Sequence, residues 1–261
     1  MSAFVFGVPL IARSAAGDWA LVQRLFALTL SSVLAQGDAD WRLLVAGHDR
    51  PACWDRVADD ARCEWLQADW PPASPDRANN DGGCKKWLVS QRVRALGGGL
   101  LMFLDADDWV DRGLVACARA AIGPGVVGGV VAHGLAVDVP SGRAAAFPVA
   151  GYAHDFVGLC GSSTVARIDP AGTRAIDRDP HGALGSHGEW RATAAANGWA
   201  LAELDVWGAY VVGTGQSHSE AAGPFAKWRR GFSAAVARTG VPLDAATAAR
   251  FGLTPAMVAE V

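Results

Sequence analysis

The chain has 261 residues, 51% hydrophobic and 19% charged, which supplies a large core and excludes a disordered polymer. A formal net charge of -3 and a pI near 6.0, with no block of like charges, exclude a polyanion-binding surface, so nucleic acid is not expected as a partner. Five widely spaced cysteines without a CxxC pair point to neither a zinc site nor a disulfide framework. The N-terminal MSAFVFGVPLIAR has no basic leader and is too short to span a bilayer, so no integral membrane segment is expected. The expected location is the cytoplasm or the periphery of the inner membrane, and the sequence leaves the oligomeric state open.

In chain order, Phe4 to Leu10 reads as a buried first strand. Asp18 is the expected N-cap of a helix in which Trp19, Val22, Phe26, Thr29 and Val33 recur at spacings of three and four, ending near Gln36-Gly37. A second strand follows at 41–46, a short helix at 52–61 and a third strand at 63–67. Residues 69–82, dense in Pro, Asn, Asp and Gly, read as a loop. A helix over 84–96 is stopped by Gly97-Gly98-Gly99. The run Leu100 to Leu104 is continuously apolar, as in a central parallel strand.

Beyond it, 126–139 and 144–149 flank a turn and read as a hairpin, with short strands at 163–168 and 207–212. Residues 187–197 have helical composition, and from about 222 the chain is helical, with Lys227, Arg229 and Arg230 beside Trp228 and Phe232. The alternation predicts right-handed βαβ crossovers: an α/β fold with a mixed, mostly parallel central sheet and helices on both faces.

Asp105-Ala106-Asp107-Asp108 stands at the carboxyl end of the central strand, where open α/β sheets bind ligands. In an extended chain Asp105 and Asp107 project the same way and Asp108 the other. Two hard oxygen donors on one side suit Mg²⁺ or Mn²⁺ completed by diphosphate oxygens and water. The bland alternative is that these acids cap the next helix, which begins near Asp111, and Asp108 is the best candidate for that. Near the Pro-rich loop, Asn80, Asp81, Lys85 and Lys86 include two of only three lysines. Arg13 follows the first strand and is a candidate for a diphosphate.

The run LMFLDADDWV, the helix carrying Lys86 and the early SSVLAQ of residues 31–36 resemble the nucleotide-binding half of family-2 glycosyltransferases of the GT-A type. The likeness covers roughly residues 4–115. It implies one GT-A (Rossmann-like) domain over 1–222, with a nucleotide-sugar half (1–115) and an acceptor half (116–222), then a helical C-terminal appendage over 223–261. It casts Asp105 and Ala106 as nucleotide-sugar contacts, Asp105 also as a metal ligand, and Asp107 as the principal ligand. Lys86 and Asp81 would steady the nucleotide, and His218 would complete the metal site. His48 and Asp49 stand where the family carries an acidic stretch after its second strand.

The family's base opens a helix in the acceptor half, which points to Glu189, with His187 as the alternative and Trp190 as a sugar-stacking platform. His154, Asp155 and residues 160–163 are candidates for the acceptor pocket. The implied activity is inverting, hexosyltransferase-like transfer from a nucleoside-diphosphate sugar, UDP-sugar favoured, to a glycan, lipid-linked or small-molecule acceptor in bacterial polysaccharide synthesis. The rival is a degenerate GT-A domain that binds a nucleotide sugar or scaffolds a partner. A haloacid dehalogenase-like phosphatase would need the motif near the N-terminus and a later acidic pair, and a nucleotidyltransferase would need a Gly-rich basic loop after the first strand; neither is present.

Overall fold

The computed structural model describes residues 3–72, 80–217, 220 and 224–261. Its first half is an alternation: β1 (Phe4–Pro9), α1 (Trp19–Leu34), β2 (Trp41–Gly47), β3 (Cys63–Gln67), α2 (Asn80–Ala95) and β4 (Gly99–Phe103). The strands lie parallel in the order β3-β2-β1-β4. Side chains on each strand split between the two faces with period two. Phe4, Phe6 and Val8 of β1, Leu43 and Val45 of β2, and Leu100 and Met102 of β4 share one cluster with Val22, Phe26 and Leu30 of α1. Val5, Leu44, Leu101 and Phe103 face the other way, onto Val89 and Val93 of α2. Helices therefore cover both faces, as expected of a parallel sheet.

The second half runs β5 (Trp109–Val110), α3 (Leu114–Ala121), β6 (Val126–Asp138), β7 (Arg143–Ala146), α4 (Phe156–Leu159), β8 (Thr164–Ile168), α5 (Ala175–Arg178), α6 (Pro180–Leu184), α7 (Trp190–Ala196) and β9 (Ala200–Val212). It closes with α8 (Ala226–Thr239), β10 (Val241–Pro242), α9 (Ala245–Arg250) and α10 (Pro255–Ala259). β8 joins β4 antiparallel, and the long β6 pairs with β8 near its start, with β7 near its end, and in parallel with β9 along its whole length. The result is one mixed sheet, parallel along most of its ladder, and the α/β Rossmann-like expectation holds.

Several boundaries differ from the sequence reading. The segment 52–61 forms only a 3-10 turn at Ala52–Arg56, and 187–189 is a 3-10 turn leading into α7. α2 begins four residues earlier than its composition indicated, and β9 starts at Ala200 because its first residues pair with β6, a partner that local pattern does not reveal. The C-terminal segment packs into the body: Phe232 and Val236 of α8 belong to the main core cluster, and β10 extends the sheet beside β7.

Glycine shapes the β6–β9 contact. Gly134 and Gly208 are paired across the ladder, and a Cβ at either would lie 2.0 Å or 2.4 Å from the Phe156 ring. The two missing side chains form the slot that seats α4 on the sheet.

Candidate functional site

β1 and β4 are neighbours whose crossovers leave in opposite directions, so their carboxyl ends open a crevice. A cleft of about 490 Å³ lies there, lined by Pro9, Leu10 and Ile11 after β1 and by Asp105, Ala106 and Asp107 after β4. The acidic loop is held from beneath by α1. Thr29 Oγ1 donates to the Ala106 carbonyl (2.9 Å), Val110 N donates to Ser32 Oγ (3.3 Å), and Gln36 Nε2 donates to the Asp111 carbonyl (2.7 Å). The SSVLAQ run thus carries buried polar groups because the loop needs partners inside the core.

Asp108 corrects the sequence reading: it does not cap a helix. It is buried, its Oδ1 accepts from Val211 N of β9 (2.9 Å), and its Oδ2 accepts from Ser162 Oγ (2.7 Å) with Cys160 Sγ at 3.3 Å. The same Ser162 Oγ accepts from Asp105 N at 2.8 Å. Burial, then the charges of Asp107 and Asp105, push the Asp108 carboxyl well up from the usual carboxylate range. The helix that Asp108 was expected to cap, α3, begins at Leu114 behind Gly113 without a side-chain cap.

Asp107 is pushed up to about 7, mainly by burial, then by the Asp105 charge and more weakly by Glu220. Two hard carboxylates forced together in one cleft fit a divalent cation that would relieve their repulsion. Among the described residues no group of three His, Cys, Asp or Glu side chains is placed to hold a metal ion, so Asp105 and Asp107 would leave most of a divalent cation's oxygen sphere to other ligands. His218, expected as a further ligand, lies outside the described residues.

The cleft also gathers Lys85, Lys86 and Asp81 from α2 and Arg229 from α8. Lys85 is almost wholly buried and meets Asp81 Oδ2 at 2.5 Å, while Trp70 Nε1 donates to Asp81 Oδ1 at 2.9 Å. Burial lowers the Lys85 ammonium from its ordinary value against the opposing pull of Asp81 and Asp49. Arg229 donates to Tyr210 Oη (3.0 Å) and the Leu159 carbonyl (3.2 Å), and Tyr210 also faces the cleft. The only sequence sign of Arg229 was a basic run beside Trp228 and Phe232. Buried Glu220 also escaped notice; its Oε1 accepts from Gly213 N (3.0 Å) and from Ser233 Oγ.

Arg13, His48 and Asp49 are not brought into the cleft lining. Arg13 is exposed and its backbone N donates to Asp49 Oδ2 at 2.9 Å, which ties together the loops after β1 and β2. His48 Nε2 pairs with the Trp70 carbonyl at 2.8 Å.

A second cleft of about 520 Å³ adjoins the first, and Lys86, Gly161 and His187 line both. Gly161 fits tightly there: a Cβ would stand 2.9 Å from Asp105 Oδ2. His187 Nδ1 pairs with the Val157 carbonyl, so Nδ1 carries a proton and the lone pair of the neutral ring sits on Nε2. Glu189 is exposed and lines neither cleft, because its carboxylate accepts from Ser186 N (2.8 Å) in a capping box. Trp190, 1% exposed, packs in the core, donates to the Gly185 carbonyl and reaches the second cleft only as part of its buried wall. Of the other acceptor-pocket candidates, His154 lies edge-on to Trp228 and Asp155 caps α4 and pairs with Arg191.

No family model matches this sequence, and no curated protein does. Among solved structures, one neighbour is CMP:2-keto-3-deoxy-manno-octonic acid synthetase complexed with CTP, at 10% identity and a TM-score of 0.33, over 81% of this chain and 90% of that one. No helix among the described residues is long and apolar enough to cross a membrane.

Proposed function

We propose that the chain is a metal-dependent GT-A glycosyltransferase that moves a sugar from a nucleoside-diphosphate sugar, UDP-sugar favoured, to an acceptor hydroxyl. One observation carries the reading: Asp105 and Asp107 line a crevice at the carboxyl ends of β1 and β4 together with Lys85, Lys86 and Arg229. Carboxylates for a cation and cations for an anion in one cleft are the pairing that a metal diphosphate requires. Asp105 and Asp107 would hold Mn²⁺ or Mg²⁺, which when bound would offset charge on the departing diphosphate. Lys86 and Arg229 supply further positive charge, and buried Lys85 keeps Asp81 in place beneath them.

For the base the reading favours His187, whose Nε2 carries the lone pair of the neutral ring because Nδ1 faces the Val157 carbonyl, over Glu189, whose carboxylate is engaged in the capping box. The acceptor O–H proton passes to Nε2 as the new O–C1 bond forms. The bond from C1 to the diphosphate oxygen breaks, and its electron pair leaves with the phosphate. Attack from the face opposite the leaving group inverts the anomeric centre.

The test is Mn²⁺-dependent release of nucleoside diphosphate from UDP-, GDP- and dTDP-sugars by the wild type and by Asp107→Ala. The expected result is turnover of one donor class, abolished by EDTA and by the substitution. Binding without turnover of any donor would favour the degenerate nucleotide-sugar binder, and neither binding nor an effect of Asp107→Ala would refute both readings.

A further inference from the structure

The second cleft shares Lys86, Gly161 and His187 with the proposed donor site, and the rest of its wall comes from the outward face of α2, from α6, and from the loop before the 3-10 turn at His187–Glu189. Trp87 lines it and is 63% exposed, one of three large hydrophobic side chains so open among the described residues. Its indole is tethered: with the Gln91 amide turned so that its oxygen faces donors, Trp87 Nε1 donates to it at 3.2 Å. A tethered, solvent-facing indole at a polar cleft is an amphipathic platform whose ring face is left open for a flat apolar surface.

The charge on the cleft is unbalanced. Lys86 has no ion-pair partner among the described residues, its Nζ lying 5.5 Å from the Phe103 ring centroid. Arg94 donates Nε and Nη2 to the Arg178 carbonyl and Nη1 to the turned Gln91 amide oxygen (2.9 Å), and its carboxylate neighbour Asp179 stands at 3.8 Å and is half exposed. That leaves two cations, one of them shared with the donor cleft, facing one acid. In the cleft wall His181 Nε2 is buried with no hydrogen-bond partner, and burial together with the Lys86 charge lowers its ring to about 4, so it faces the cleft uncharged.

We infer that this cleft binds the acceptor and that the acceptor is an anionic saccharide, stacked on Trp87 with its carboxylate or phosphate toward Lys86 and Arg94. The inference rests on the glycosyltransferase reading. The shared wall places an acceptor hydroxyl beside His187, where that reading needs it.

The probes are methyl β-D-glucuronide, glucose 6-phosphate and methyl β-D-glucoside, with binding followed by saturation-transfer NMR in the presence of UDP and Mn²⁺. At least one anionic probe is expected to bind the wild type roughly tenfold more tightly than the neutral glycoside, a ratio that salt reduces. Trp87→Ala should weaken that binding by roughly tenfold and Trp87→Tyr should restore most of it, while UDP affinity stays unchanged because Trp87 does not line the first cleft. Equal binding of neutral and anionic probes, or wild-type affinity in Trp87→Ala, overturns the inference. So does a Trp87→Ala variant that loses only its attachment to phosphatidylglycerol vesicles, which would make the indole a membrane contact. If UDP and Mn²⁺ fail to bind the wild type while the anionic probes still select for Trp87, the donor reading falls and the saccharide cleft stands.

Discussion

Burial and the Asp105 charge raise the Asp107 carboxyl to about 7, so a cation at this site has to displace a proton in the neutral range. Mn²⁺ affinity is therefore expected to fall by about tenfold per pH unit as pH drops below about 7, and to level off above it, by calorimetric titration. Asp107→Asn should abolish the slope with the binding. His187→Ala is expected to lower kcat by about 10²- to 10⁴-fold while leaving donor KM nearly unchanged, whereas Glu189→Ala should leave kcat in place and cost up to about 1 kcal/mol in denaturant stability. Asp105 and Asp107 were legible in the sequence because an apolar strand ending in acids specifies where they stand. Asp108 was not, since its partners Ser162 and Val211 come from distant parts of the chain. The capping role of Glu189 was open to local inspection, for Ser186 stands three residues before it.

At the scale of elements, β1, α1, β2, β3 and β4 followed from periodicity, and the N-cap expected at Asp18 accepts from Leu21 N at 2.9 Å. What periodicity could not show is pairing between remote segments. β6 and β9 meet in a register that places Gly134 opposite Gly208, and neither glycine stands out in the sequence because neither is in a turn. Gly134→Ala and Gly208→Ala should each destabilise the protein by about 1–3 kcal/mol in urea unfolding, since the Phe156 ring occupies the space a Cβ would need. The same substitutions test how α4 is seated, because α4 carries Val157, whose carbonyl fixes His187. Their cost should therefore extend to kcat.

For the molecule as a whole, the helical C-terminal segment closes the core: Phe232 and Val236 are at most 1% exposed. Deleting residues 224–261 should leave a chain that fails to give a cooperative thermal transition, because the main cluster would open onto solvent and β7 would lose its β10 neighbour. Asp108 joins the acidic loop to β9 across 103 positions of sequence, and Ser162 hands that tie on to Asp105. Contacts this distant are entropically expensive and form only after the intervening chain has found its place. The cleft acids are therefore expected to acquire their native spacing late in assembly, and refolding kinetics of Asp108→Asn would check it. A half-folded chain would then have the sequence of the site without its geometry, and any cation held by the cleft would be taken up only at the last step of maturation.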